Sequence, residues 1–140
     1  MELGRPQSLT LYRRALEMVR ESNATMTKLI EEIPSLLDEL AECGHPMVKA
    51  HVWDGIQEYV DYLREALRQP EFGQPPAVLR LCRLTTGERV EAIGEFAQQI
   101  ELARRLLRAV EDVMLQHPNL CDLDDLHRLD AGARRERDLE

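Results

Sequence analysis

Four histidines, three cysteines and a row of acids at helical spacing are the groups in this 140-residue sequence whose types could do chemistry. His45 and His117 each precede a proline at an expected helix end and read as junction residues. Glu42-Cys43-Gly44-His45 has the Glu-x-x-His spacing of di-iron bundles. That chemistry needs two such motifs and two further glutamates, all facing inward. The motif occurs once and contains a helix-ending glycine. A His-x-x-x-His pair, a P-loop and a Gly-x-Gly-x-x-Gly are all missing. No serine or cysteine has a nearby histidine whose geometry the sequence fixes as a nucleophile–base pair. Cys43, Cys82 and Cys121 are odd in number, form no Cys-x-x-Cys and have unrelated flanks, so reduced, partly buried thiols are expected. The reading is therefore non-enzymatic, with no catalytic residue, cofactor or metal specified.

His51 stands apart from the other histidines. On a helix it falls about 140° round from Ile56, on the solvent side. Its window, Lys49-Ala50-His51-Val52-Trp53-Asp54-Gly55, resembles the phosphoacceptor segment of histidine phosphotransfer domains. The resemblance implies a bundle carrying a phosphoryl group on exposed His51. Three residues on, where that family has a lysine, this chain has Asp54, whose carboxylate repels a phosphoryl group. Asp54 also opens a second pattern: Asp54, Glu58, Asp61 and Glu65 step 4, 3, 4 along one face with little base between them. Such a strip suits docking of a basic partner and binds a divalent cation only weakly, because nothing closes a cage round the ion. Arginines gather at 80, 83 and 89 and again at 104, 105 and 108, without the aromatic residues that stack bases.

The elements that must position these groups are helices. From Tyr12 the register Tyr12, Ala15, Val19, Ser22, Met26, Leu29, Ile33, Leu36, Leu40, Cys43 steps by 3 and 4. Ser8 reads as its N-cap and Gly44 as the residue after its end. Pro34, followed by a capping-box-like Ser35-Leu36-Leu37-Asp38, is expected to kink or break this segment into 8–33 and 35–43. A second helix spans 46–69, with Ile56 and Leu63 at the centre of its buried face, flanked by Val52, Trp53, Tyr59, Val60 and Leu67. Gly55 within it suggests a close helix approach. A proline-rich linker at 70–76 precedes a short helix at 77–84. Thr85 and Glu88 cap a third long helix, 86–116, with the seam Ile93, Phe96, Ile100, Ala103, Leu107, Val110, Met114. Outer-face pairs Glu101–Arg105 and Arg108–Asp112 are expected on it. Leu120, Leu123, Leu126 and Leu129 suit a further short helix at 120–130. The fold class is all-α, an antiparallel helical bundle over residues 1–130 with a charged flexible tail at 131–140.

The bulk numbers narrow the function. Acids outnumber bases 26 to 18, a formal charge of −8, which opposes binding to a polyanion such as duplex DNA. No apolar run is long enough for a membrane span or a signal peptide, so no membrane association and a cytoplasmic location are expected. The expected function is helical interaction or regulation, with a bundle face, centred on Asp54, Glu58, Asp61 and Glu65, binding a protein partner. Long seams also allow a homo-oligomer. Two alternatives stand beside it: phosphotransfer through His51, and an internal small-ligand pocket, for which Ser22 and Lys49 are the polar seam residues.

Overall fold

The computed structural model describes residues 3–117. They form α1 (Arg5–Glu42), α2 (Pro46–Arg68), a 3-10 turn (Ala77–Leu81) and α3 (Thr86–Gln116), with no strand among them. The chain is an all-α bundle of three long helices. The expected helix at 120–130 and tail at 131–140 lie outside the described residues, as do Cys121 and His127. α1 and α3 run in the same direction: Arg5 pairs with Glu88, Arg20 with Glu95 and Asp38 with His117. α2 returns between them. Its Lys49 reaches the end of α1 at the Ala41 carbonyl, while Gln57 meets Met114 and Arg64 meets Glu111.

Two clusters make the core. One joins Met26, Ile33, Leu37 and Leu40 of α1 to Trp53, Val60 and Leu63 of α2 and to Ala103, Leu106, Val110 and Val113 of α3. The other packs Tyr12, Ala15 and Leu16 against Leu79, Cys82 and Ala92. The 3-10 turn therefore closes the end of the molecule that α2 does not reach. It is shorter than the 77–84 helix expected, stopping at Leu81.

α1 does not break at Pro34, and the separate 35–43 helix is part of one 38-residue helix. A proline inside a helix costs about 3 kcal/mol. Leu37 and Leu40, both beyond it, are buried, and each contributes about 1.5–3 kcal/mol only if the register continues. Pro34 itself is exposed, so water can reach the backbone its ring disturbs. Asp38 caps nothing and instead meets the His117 ring across α1 and α3 at 2.5 Å.

The start of α1 also differs from expectation. Gly4 is the N-cap, Gln7 Oε1 accepts from the Gly4 N–H, and Ser8 lies inside the helix. The buried Ser8 hydroxyl accepts from the Arg83 N–H at 2.8 Å and donates to the Leu3 carbonyl at 3.3 Å. A tertiary demand thus recruits the group that would otherwise cap. At the other end Cys43 is the C-cap in an extended conformation, and the following Gly44 has no positive φ.

Trp53, at 1% exposure, rather than Ile56, anchors α2. The seam of α3 keeps Ala103 and Val110 buried as expected, but Ala92, Leu106 and Val113 are buried in place of their neighbours Ile93, Leu107 and Met114, and Ile93 is 58% exposed. The apolar stripe of α3 is wide enough for either register, and it is Ala92 that packs in the cluster with Tyr12 and Ala15. The Thr85–Glu88 capping box forms as expected, at 3.1 and 2.8 Å. Of the two outer pairs, Glu101–Arg105 forms at 3.1 Å, and Arg108–Asp112 makes no ion pair among the described residues.

Candidate functional site

α1 and α2 leave an apolar groove between them whose floor is α3. Thr25, Leu29, Ile33 and Leu36 form one wall, and Val52, Gly55, Ile56 and Tyr59 the other. Leu106 and Val110, both fully buried, lie at the bottom. Its volume is about 330 Å³. Gly55 faces open space, with no atom within 4 Å of where a Cβ would stand. The close helix approach expected there is therefore absent, and the glycine widens the groove. Leu36, 41% exposed, and Tyr59, 36% exposed, stand at its mouth. Tyr59 stacks on Tyr62 with ring centroids 6.2 Å apart. Desolvation, and then Tyr62, raise the Tyr59 pKa.

Beside the groove-lining residues the helices carry charged neighbours. Glu32 and Glu39 lie three residues on from Leu29 and Leu36, one position further round α1. Glu58 lies three residues on from Gly55 on α2. All three are exposed. By the same helical spacing Lys28 stands three residues on from Thr25. Glu32 has a long pairing with Lys28, at 3.9 Å.

Asp54, Glu58, Asp61 and Glu65 share the outer side of α2, as their spacing implies. The strip is less bare than its spacing suggested. Arg64 reaches Asp61 at 3.7 Å, and Arg68 reaches Glu65 at 3.4 Å. Gln69 also donates to Glu65 at 3.2 Å. Asp54 is half-buried, and the other three members are exposed. These exposed pairs add little stability, about 0–1 kcal/mol each, but they lower the negative charge the strip presents.

His51 is exposed on α2 and has no hydrogen-bond or ion-pair partner among the described residues. Ser22 is half-buried, and Lys49 spends its ammonium on the Ala41 carbonyl at 3.1 Å, where a cation suits the end of α1. Neither lines the groove. The buried polar seam residue is Asn23, next to Ser22: its Nδ2 donates to the Glu95 carbonyl at 3.0 Å, and its Oδ1 has no partner. Glu42 closes α1 and exposed His45 caps α2, so the Glu-x-x-His spacing straddles a helix junction. Among the described residues no three His, Cys, Asp or Glu side chains are grouped to hold an ion, and no helix is long and apolar enough to cross a membrane.

The groove itself was not legible in the sequence. Leu29, Leu36 and Val52 showed only that the apolar stripes are wide. That α1 and α2 stand apart over α3, leaving those residues uncovered, is a matter of tertiary packing. In comparisons with known protein families, curated proteins and solved structures, nothing matches this chain.

Proposed function

We propose that this protein is a non-enzymatic interaction protein whose α1–α2 groove captures an amphipathic helix of a protein partner. The partner's apolar face enters the groove and its basic residues lie against Glu32, Glu39 and Glu58. The observation that carries this reading is the groove: an apolar trough between two helices, with exposed Glu32, Glu39 and Glu58 one helical step from its lining residues. It matches the way helical domains hold a partner helix, where a few apolar anchors supply affinity and flanking charges supply orientation and on-rate. A partner recovered by affinity purification tests it. Ile56→Glu should weaken capture at least tenfold, and Glu39→Lys with Glu58→Lys should weaken it chiefly at low salt, where surface charges act furthest. Undiminished capture by both variants ends the proposal. If the recovered partner is a second copy of this chain, the groove serves a homo-oligomer.

The exposure of His51 favours the phosphotransfer alternative, and neighbouring Asp54 opposes it. Incubation with a phosphorylated receiver domain, with His51→Gln as control, separates the two: the interaction reading expects no transfer to His51.

A further inference from the structure

At the opposite end of the molecule, the linker and the 3-10 turn lean over the first half of α3 and leave a second cavity, of about 370 Å³. That is within the range of small-molecule sites, about 300–1,000 Å³. Pro75, Pro76, Leu79, Leu84, Ile93 and Ala97 give it apolar walls. Its polar lining is Gln74 and the two guanidiniums of Arg80 and Arg89, with no acidic residue. In a chain with 26 acids and 18 bases this is an inverted environment.

Neither arginine is neutralised. Arg89 donates to the Leu79 carbonyl at 3.5 Å and to the Cys82 carbonyl at 2.8 Å, which orients its fork while leaving its charge intact. Arg80 has no hydrogen-bond or ion-pair partner among the described residues. The nearby Glu88 carboxylate is committed to Arg5 at 2.6 Å and to the Thr85 N–H at 2.8 Å. Gly73 holds the linker in place: at φ 81° it lies against Ile100, where any side chain would overlap. Ile93, 58% exposed at the cavity wall, and Arg80 thus present an apolar surface and an open positive charge side by side.

We propose that this cavity binds a small amphipathic carboxylate, its aliphatic part on Pro75, Pro76, Ile93 and Ala97 and its carboxylate between Arg80 and Arg89. A guanidinium pairs a carboxylate through parallel N–H donors, and such charge-assisted bonds are about twice as strong as neutral ones. The site is remote from the α1–α2 groove and does not depend on its reading.

The probe is decanoate, titrated into the full chain below its micelle concentration and followed by calorimetry and by amide NMR shifts. Saturable one-to-one binding is expected, at least tenfold tighter than for decanol, with shifts at Arg80, Ile93 and Ala97. Arg80→Glu should remove the preference for decanoate over decanol, and Ile93→Glu should weaken both. Circular dichroism shows whether each variant keeps its helices. Arg80→Gln serves as the milder substitution if Arg80→Glu unfolds. Decanoate binding no tighter than decanol, no saturation, or full affinity in the folded variants would overturn the proposal.

Discussion

Glu88 shows how much one side chain can be asked to do. It completes the capping box of α3 and also accepts two hydrogen bonds from Arg5, tying the start of α1 to the start of α3. The Arg5 bond first, and the Thr85 N–H next, hold its pKa at about 2, below the usual 4.5. The unfolded chain takes up this proton near 4.5 and the folded one only near 2. Its contribution to stability is therefore complete above 4.5 and lost as pH falls towards 2. Glu88→Gln should flatten that part of the acid-induced fall in melting temperature; equally steep curves for both proteins in thermal scans would refute the linkage. Tyr12 works at the same junction. Burial, and then the bond to Glu91 at 2.9 Å, push its pKa up to about 12. Gly73 is the third such residue. A side chain there must adopt positive φ and displace Ile100, so Gly73→Ala should destabilise by about 1–3 kcal/mol in denaturant titrations. A neutral result would mean that the linker does not hold this conformation.

At the scale of elements, α1 sets the geometry. Its 38 residues span both core clusters, and Pro34 is its weak point. Pro34→Ala restores a backbone donor and relieves the ring's clash, at the cost of a looser unfolded chain. The balance predicts a gain of about 1–2 kcal/mol. A loss of stability on chemical denaturation would show that the proline instead fits a bend on which the packing of Leu37 and Leu40 depends. The capping box of α3 was legible because Thr85 and Glu88 interact locally. The cap of α1 was misread because Ser8 serves a contact from Arg83, seventy-five residues away in sequence.

For the molecule as a whole, α1 and α3 are joined along their length by Arg20 to Glu91 and Glu95, by Asn23 and by His117. α2 is held mainly through Trp53, Val60 and Leu63 and is open to the groove on one side. Amide exchange should therefore be faster along α2 than along the buried faces of α1 and α3. Equal protection in all three would place α2 in a tighter association than the groove implies. The two cavities also differ in charge. The uncharged apolar lining of the groove and the arginine-lined cavity lie towards opposite ends, so the net charge of −8 describes neither site.

The sequence by itself determined that this is an all-α chain with three long helices, and where most of them begin and end. Helical period, capping residues and proline are local signals, and local physics reads them. Tertiary structure decided the rest. It carried α1 through Pro34 because burying Leu37 and Leu40 outweighs a local penalty. It turned Ala92 into the cluster with Tyr12 and Ala15, which carries the next residue, Ile93, about 100° round the helix to the surface. It spaced α1 and α2 apart over α3, which made a groove from residues that the sequence marked only as apolar.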